Sequence, residues 1–211
     1  MKTAILLDWD GVLCDSLILY YELYIEVCRR HNHPFPIADL ADFRDWYNPR
    51  WEENFYDLGF SEAEYQEVLK YYEENLRYSG VALFPGIIEN LALWSAEFPL
   101  AIVSTAPSWM IWQRLRQDDL EKYFTHLTGS DDGDTEKRGR VRVTMELMGA
   151  QAGVMVGDTP LDIEAGKFNA LKTIGVTYGW VSPARIRQAA PDRVVDEPGA
   201  LYQAVVELAR A

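Results

Sequence analysis

Apolar and polar residues alternate along the chain in blocks that predict strands followed by helices. Residues 3–8 form a short apolar run that ends just before the turn-forming pair Asp10-Gly11, as expected of a buried strand. Asp-Gly is also a common hairpin turn, but a hairpin needs a second strand directly after it. Apolar positions in 13–28 instead recur every three or four residues, as on one face of a helix. With Asp15-Ser16 at the expected N-cap, the pattern indicates strand, tight turn and helix.

Residues 16–83 predict a helical unit, because they contain no convincing strand. The prolines within 34–36 end a first helix, Asn48-Pro49 ends a second, and Ser61 with Glu64 resembles a capping box that opens a third. This unit holds 15 of the 27 Phe, Trp and Tyr residues of the chain. We expect these rings to pack within the unit, and some of them to line a substrate cleft as well.

From residue 84 onward, short apolar runs alternate with amphipathic segments. Strands are predicted at 100–103, 125–128, 154–156, 173–176 and 193–195, and helices at 87–97, 107–117, 140–149, 161–168 and from 199. Apolar strands that alternate with helices indicate a parallel sheet covered on both faces. We therefore predict an α/β fold, with a doubly wound (Rossmann-like) parallel sheet formed by 1–15 and 84–211. The helical unit 16–83 is inserted into this core.

Composition and charge exclude several classes of function. The chain has 211 residues and a net charge of −13, which argues against a nucleic-acid or anionic-membrane surface, because phosphates need dense Lys and Arg. The early apolar run 4–7 is too short for a signal-peptide core or a membrane-spanning helix. Cys14 and Cys28 form no disulfide framework and match no zinc spacing. A reduced, cytoplasmic location is the simplest expectation.

Polar residues follow three of the predicted strands. Ligands of parallel α/β sheets bind beyond the carboxyl ends of the strands, where these residues would meet. They are Asp8, Asp10, Ser104, Thr105, Asp158 and Asp162. Carboxylates so close together would repel one another, and their pKa values would rise. A divalent cation would relieve this repulsion, and Mg²⁺ fits best because it takes few carboxylates and keeps waters for a substrate phosphate.

Four segments resemble the motifs of the haloacid dehalogenase superfamily in its phosphatase form. Residues 8–16 (Asp-Trp-Asp-Gly-Val-Leu-Cys-Asp-Ser) resemble the first motif, and 157–162 (Gly-Asp-Thr-Pro-Leu-Asp) resemble the fourth. Ser104, which closes an apolar strand, is similar to the second motif, and Lys137 is the best candidate for the third. The four segments occur in the order typical of the family, and the resemblance spans residue 5 to about residue 180.

The resemblance implies roles for the carboxylates. Asp8 would attack phosphorus to form an aspartyl phosphate, while Asp10 would protonate the leaving alcohol and then accept a proton from the hydrolytic water. The carboxylates of Asp8 and Asp158, with the backbone carbonyl of Asp10, would hold Mg²⁺. Asp162 would orient Lys137 or the waters of the metal ion.

The resemblance also implies a cradle for the transferring phosphate. The Ser104 hydroxyl, the Lys137 ammonium group and backbone N–H groups near Gly11 and Thr105 would bind the phosphate oxygens. Gly11 would in addition permit the tight turn that exposes the neighbouring Asp10.

Two departures from the family pattern leave alternatives open. The usual Lys-Pro pair of the third motif is absent, so Arg138 or Arg140 could fill or share the cationic role predicted for Lys137. Thr105 stands where many phosphoglycolate-phosphatase-like members have Asn, which bears on leaving-group contacts but not on phosphate transfer.

Residues 16–83 lie between the first two motifs, where the family carries its small helical cap. Hinges are expected near 15–17 and 79–86, and closure of a cap excludes water and brings specificity groups over the phosphate. The candidates for cap contacts with the substrate are Arg44, Trp46, Arg50 and Trp51.

The predicted function is Mg²⁺-dependent hydrolysis of a small phosphomonoester, with phosphoglycolate as the default by resemblance. Relatives that cleave carbon–halogen bonds need no acid at position 10, and phosphonate-cleaving relatives need a cap lysine, for which only Lys70 is available in 17–82. A phosphosugar mutase of the same fold and a catalytically silent binding protein are the alternatives. The expected partner is a small phosphorylated metabolite, not nucleic acid or membrane, and both a monomer and a homodimer are compatible with the sequence.

Overall fold

A single parallel sheet forms the centre of the computed structural model, which describes residues 2–133 and 136–211. Its strands are β1 (Thr3–Leu7), β2 (Leu100–Val103), β3 (Phe124–Thr128), β4 (Ala152–Gly157), β5 (Lys172–Val176) and β6 (Arg193–Val195). They pair in the order β3-β2-β1-β4-β5-β6, and every pairing is parallel. The predicted parallel α/β sheet is confirmed.

Helices fill the connections between these strands. They are α1 (Leu17–His31), α2 (Leu40–Trp46), α3 (Trp51–Asp57), α4 (Glu62–Asn75), α5 (Ile87–Glu97), α6 (Ser108–Gln117), α7 (Lys137–Met148), α8 (Pro160–Phe168), α9 (Pro183–Gln188) and α10 (Leu201–Arg210). Within the described part of the chain, no helix is both long enough and apolar enough to cross a membrane.

The sequence pattern predicts most of these helices, and the differences have simple causes. Helices α3 and α9 are not predicted, because seven and six residues are too few to display a helical period. Helix α7 begins at Lys137 rather than at the predicted residue 140. Its first turn is polar, so the apolar spacing that signals the helix starts only at Val141.

Both faces of the sheet are covered by helices. Ile5 and Leu7 of β1 belong to one core, which they share with residues of α5 and α10. Ala4 and Leu6 point to the other face and pack in a second core with Val141 of α7. Strands buried on both faces have no polar side to show, which explains their continuous apolar sequences. The sheet is doubly wound, as predicted.

Helices α1–α4, which we call the helical segment, pack mainly around aromatic rings. Helix α1 packs against α2 and α4, and α3 packs against α4. Tyr24 lies at the centre, with its ring centroid 4.7 Å from that of Phe55 and 5.5 Å from that of Phe43. The predicted capping box of Ser61 and Glu64 is present at the start of α4. The aromatic enrichment of this part of the sequence is therefore explained largely by packing.

Two sets of hydrogen bonds join the helical segment to the six strands and helices α5–α10, which we call the sheet domain. The connections on either side of it run together, since Asp15 N–H donates to Ala82 O at 2.9 Å and Phe84 N–H donates to Leu13 O at 3.0 Å. The second set joins α2 and the residue after it to the segment that follows β5. Arg44 donates to Tyr178 O at 2.5 Å, and Arg185 of α9 donates to Tyr47 O at 2.6 Å. These contacts hold the helical segment beside the loop that follows β5.

Close packing of α8 on the sheet gives a stability prediction. A Cβ at Gly166 would lie 2.6 Å from Thr173 Cγ2 and 3.0 Å from Met155 Cβ, atoms that have little freedom to move. We expect Gly166→Ala to destabilise the protein by about 1–2 kcal/mol in urea unfolding, because overpacking of about 1–3 kcal/mol outweighs the gain of about 1 kcal/mol in helix propensity.

Gly199→Ala is the matched control, because no heavy atom lies within 4 Å of a Cβ at Gly199. Its stability should stay within about 0.5 kcal/mol of the original. Equal stability of the Gly166→Ala and Gly199→Ala proteins would show that α8 can move away from β4 and β5 at little cost.

Candidate active site

Strand register brings three carboxylates together at one edge of the sheet. Leu7 of β1 pairs with Ile102 of β2 and Val156 of β4, so the residues after these strands reach the same place. Asp8 follows β1, and Asp158 follows β4. Oxygens of Asp8, Asp158 and Asp162 lie within 4.8 Å of one another. The predicted meeting of these carboxylates at the strand ends is observed.

A buried lysine at the start of α7 contacts this cluster. Lys137 Nζ lies 2.6 Å from Asp8 Oδ2 and also forms an ion pair with Asp162 Oδ1. The two alternative cations, Arg138 and Arg140, line a neighbouring cavity together with Lys137. Arg138 pairs with Glu136 and stacks over the Phe168 ring at 5.1 Å, and Arg140 is buried farther along α7. Of the three candidates for the third motif, the structure brings Lys137 to Asp8.

Burial and mutual repulsion raise the pKa values of the carboxylates. Burial raises the pKa of Asp8 to about 7, Lys137 opposes the shift, and Asp162 adds to it. The pKa of Asp158 is raised well above its ordinary value by burial and by the charges of Asp8 and Asp162. Burial lowers the pKa of Lys137, but Asp162 and Asp8 outweigh it, so the net shift is upward. Three buried carboxylates thus lie close together with one ammonium group among them. The carboxylate oxygens are a ligand set that fits a divalent cation.

The carboxylate of Asp10 is held by two hydroxyl groups. Ser16 Oγ donates to Asp10 Oδ1 at 2.5 Å, and the Tyr78 hydroxyl donates to Asp10 Oδ2 at 2.7 Å. Burial raises the pKa of Asp10 to about 6, while these two hydrogen bonds lower it. The prediction of Ser16 as a helix cap is wrong in one respect. Ser16 precedes α1, but its side chain forms no capping hydrogen bond, because it is directed to Asp10.

A chain of tyrosine hydroxyls extends from Asp10 into the helical segment. Tyr78 OH lies 2.9 Å from Tyr20 OH, which lies 2.9 Å from Tyr72 OH. Sequence reasoning did not identify Tyr78, Tyr20 or Tyr72 as functional. Tyr20 and Tyr72 occupy apolar positions of α1 and α4, so their spacing indicates only core packing. The convergence of the three hydroxyls depends on tertiary structure.

The residues after β2 differ in exposure. Ser104 is fully buried, and its hydroxyl accepts a hydrogen bond from Ala106 N at 3.1 Å. Thr105 is exposed and lines the cavity described below. Ser104 and Thr105 thus lie at the predicted strand end. The Ser104 hydroxyl still has its own proton to donate, so its role as a phosphate ligand stays a prediction.

Gly11 allows the first loop to approach Asp158. Its φ is 74°, and a Cβ on it would overlap Asp158 Oδ2. The Gly11 N–H donates to Cys14 O at 2.9 Å within the loop. The tight turn thus uses the Gly11 N–H internally, and phosphate binding by backbone N–H groups near Gly11 stays a prediction for the neighbouring residues.

Two further contacts fix the carboxylates of β4 and α8. Trp180 N–H, in the loop after β5, donates to Asp158 Oδ2 at 2.6 Å. Asp162 Oδ2 accepts from Thr159 N–H at 2.9 Å and from the Thr159 hydroxyl at 2.8 Å, which caps α8. Sequence reasoning missed Trp180, although the end of β5 at the same sheet edge was a signal that could have identified it.

A cavity of about 230 Å³ lies over the cluster. From the sheet domain it is lined by residues that include Asp8, Asp10, Thr105, Lys137 and Asp158. From the helical segment it is lined by Tyr20, Tyr47, Pro49, Trp51, Leu69, Tyr72 and Glu73. A second cavity of about 720 Å³ adjoins the first, and Trp51 and Lys137 line both.

Of the four residues predicted to contact the substrate from the cap, two line a cavity and two do not. Trp51 lines the first cavity, and Arg50 lines the second. Arg44 is turned to Tyr178 O in the sheet domain. Trp46 packs against Tyr24, with their centroids 5.6 Å apart. Neither Arg44 nor Trp46 is among the residues that line the two cavities, because both are used in packing.

Comparisons with known proteins agree with this arrangement. Pyrophosphatase PpaX of Listeria innocua is 27% identical over 202 residues, which cover 92% of each chain. A phosphoglycolate phosphatase of Synechococcus elongatus is 28% identical over 216 residues, covering 98% of this chain and 99% of that one. The crystal structure of a predicted phosphatase from Clostridium acetobutylicum has the same fold, with a TM-score of 0.84 at 24% identity over 99% of this chain and 100% of the other.

The family match extends from β1 to the end of β5 and includes the whole helical segment. Residues 5–176 match the haloacid dehalogenase-like hydrolases, a span that contains every carboxylate of the cluster and Lys137. This extent confirms the resemblance of the four sequence motifs. The chain belongs to the haloacid dehalogenase-like hydrolase family.

Proposed function

We propose that this hydrolase is a Mg²⁺-dependent phosphatase that acts on a small phosphomonoester through an aspartyl phosphate at Asp8. The observation that carries the proposal is the position of the Asp8 carboxylate. It lies at the base of a cavity, 2.6 Å from a buried ammonium group and beside two further carboxylates. Relatives named as phosphatases support the same reaction class.

The surroundings of Asp8 suit a nucleophile. Its Oδ1 accepts a hydrogen bond from Trp9 N–H at 2.8 Å, which fixes the carboxylate, and Lys137 favours its ionised form. In the first step Asp8 forms a bond to phosphorus while the bond from phosphorus to the ester oxygen breaks. Lys137 and the polar groups around Thr105 are the proposed donors for the phosphate oxygens.

Asp10 is the proposed acid and base. It gives a proton to the leaving alkoxide and then takes one from the water that attacks the phosphorylated Asp8. A hydroxyl can donate to an ionised carboxylate and accept from the protonated acid. Ser16 and Tyr78 therefore suit a residue whose protonation state changes twice in each cycle.

Asp8, Asp158 and the backbone carbonyl of Asp10 are the proposed holders of Mg²⁺. When bound, the ion would offset the repulsion between the nucleophile and the phosphate dianion. The fit rests on the excess of buried carboxylates over ammonium groups at this edge of the sheet. Asp162 is the proposed orienting group for Lys137, because its two oxygens join that ammonium group to the capped start of α8.

The substrate is proposed to be a small phosphorylated metabolite. The cavity of about 230 Å³ leaves room for a phosphate group and a short alcohol. The names of the two relatives make phosphoglycolate and pyrophosphate natural members of a first panel. We further propose that the helical segment acts as the cap, since it supplies seven of the 18 described residues that line the cavity.

Phosphate release from a panel of phosphomonoesters and pyrophosphate, with and without Mg²⁺, tests this function. We expect Mg²⁺-dependent turnover, and a loss of at least about 1,000-fold in kcat for Asp8→Asn, because the nucleophile is removed. Asp57→Asn, an exposed carboxylate outside both cavities, is the control and should keep full activity. No phosphate release from any compound, or release of an isomerised sugar phosphate instead, would contradict the proposal.

Removal of the Tyr78 hydroxyl should change how strongly kcat depends on the leaving group of the ester. We expect Tyr78→Phe to lower kcat for alkyl phosphates by about tenfold, a part of the about 100- to 10,000-fold that a positioned acid contributes. Hydrolysis of 4-nitrophenyl phosphate should change much less, because its leaving group departs without a proton.

Tyr71→Phe is the matched control on α4, since its hydroxyl forms no hydrogen bond with another described residue. Steady-state rates for both esters would decide the outcome. An equal fall for the alkyl and aryl phosphates in the Tyr78→Phe protein would indicate general damage to the site and not a misplaced acid.

A further inference from the structure

Five aromatic residues are among the described residues that line the first cavity, where the phosphate is proposed to bind. The helical segment and the loop after β5 supply Tyr20, Tyr47, Trp51, Tyr72 and Trp180. Trp180 has its ring centroid 4.5 Å from that of Tyr20 and 5.0 Å from that of Tyr47. The centroids of Trp51 and Tyr72 are 5.4 Å apart. These rings support one another and present a preformed surface to whatever group enters.

This aromatic wall and Asp10, the proposed acid for the leaving alcohol, line the same cavity. The hydroxyl chain connects Tyr72 and Tyr20 to Tyr78, and Tyr78 holds Asp10, the proposed acid for that alcohol. Asp8, Asp10, Tyr20 and Tyr72 line one cavity, so a group attached to the ester oxygen would have these aromatic rings beside it.

One carboxylate stands in this wall. Glu73 lines the cavity on α4, on the same helix face as Leu69. Its side chain is exposed and forms no hydrogen bond or ion pair with another described residue. Burial, then the charge of Asp10, raise the pKa of Tyr72, and the charge of the adjacent Glu73 adds to that shift.

Two cations lie near Glu73 along the chain, Lys70 and Arg77, and neither lines the cavity. Lys70 pairs with Glu74, and Arg77 donates to the backbone carbonyl groups of Glu73 and Leu76. The helical segment contributes neither Lys nor Arg to the described lining. Lys137 is already paired with two carboxylates of the cluster. Arg50 lines only the adjoining cavity, and Arg44 donates to a backbone carbonyl. A carboxylate on the leaving alcohol would therefore meet Glu73 with no Lys or Arg of the helical segment in the described lining to pair with it.

We propose, building on the phosphatase function above, that this pocket selects phosphomonoesters whose alcohol carries an ammonium group. Glu73 supplies the opposite charge, and the rings of Tyr72 and its neighbours attract the cation through their negative faces. Such a substrate is held at both ends, with its phosphate at Asp8 and its ammonium group against the aromatic wall. This inference departs from the phosphoglycolate expectation, because phosphoglycolate carries a carboxylate at that end.

Three esters of similar size test the proposal: phosphoethanolamine, n-propyl phosphate and phosphoglycolate. Isothermal titration of each into the full-length Asp8→Asn protein with Mg²⁺ gives dissociation constants that do not depend on turnover. We expect phosphoethanolamine to bind about tenfold more tightly than phosphoglycolate, with n-propyl phosphate between them. Adding Glu73→Gln should reduce the preference for phosphoethanolamine over n-propyl phosphate by about threefold or more.

Glu74→Gln is the control, since Glu74 is the next residue on α4 and faces Lys70 outside the cavity. It should leave the preference unchanged. Equal or tighter binding of phosphoglycolate, no detectable binding of phosphoethanolamine, or an unchanged preference in the Glu73→Gln protein would overturn the proposal.

Turnover by the unmutated chain distinguishes failure of the ammonium preference from failure of the phosphatase function on which it rests. Hydrolysis of 4-nitrophenyl phosphate with a preference for phosphoglycolate would refute the role of Glu73 and leave the phosphatase function intact. An absence of turnover for every ester would refute the phosphatase function, while the order of the dissociation constants would still decide which leaving group the pocket accepts.

Discussion

The site depends on one electrostatic constraint, the burial of three carboxylates around a single ammonium group. Charges removed from water are costly unless they are paired and hydrogen-bonded. Lys137 pairs with Asp8 and Asp162, and Trp180 N–H donates to Asp158. These contacts satisfy part of the charge and fix the geometry of the rest. The remaining negative charge would be offset by a divalent cation, which is the basis of the proposed metal site.

The surrounding fold is arranged so that these groups can meet. Parallel register brings the ends of β1 and β4 level, and α7 delivers Lys137 from its first turn. Gly11 removes the Cβ that would overlap Asp158 Oδ2. On the other side of the cavity, the tyrosine hydroxyls join Asp10 to α1 and α4. A movement of the helical segment would therefore disturb the hydrogen bonds that hold Asp10, the proposed acid.

Sequence reasoning succeeded where a local pattern determines position. Strands buried on both faces have unmistakable apolar runs, and the residue after such a strand must lie at the sheet edge, so Asp8 and Asp158 could be predicted. Lys137 could be named only through the family resemblance, because nothing local distinguishes it from Arg138 or Arg140.

The remaining contacts depend on the folding of distant segments against one another. Ser16 looks like a helix cap, and only the path of the loop turns it to Asp10. Tyr78 and Trp180 reach the site across long sequence separations, and their types fit ordinary packing equally well. The same holds for Arg44, which a sequence places in the cap but which binds the sheet domain. Side-chain direction in the helical segment was thus beyond prediction.

The most direct test of the account is the effect of Mg²⁺ on thermal unfolding at two pH values. In the metal-free protein the pKa of Asp8 is raised from 3.8 to about 7, so the folded chain keeps a proton that the unfolded chain releases as pH rises through this interval. The free energy of unfolding therefore falls as the pH rises from about 4 to about 7, and above this interval the carboxylate of Asp8 is ionised in both states. Metal binding needs the ionised carboxylates.

We predict that Mg²⁺ raises the unfolding temperature clearly at pH 8 and much less at pH 5, and that Asp158→Asn abolishes the rise. The same small shift at both pH values, or no shift at pH 8, would contradict the claim that this cluster is built to hold a divalent cation.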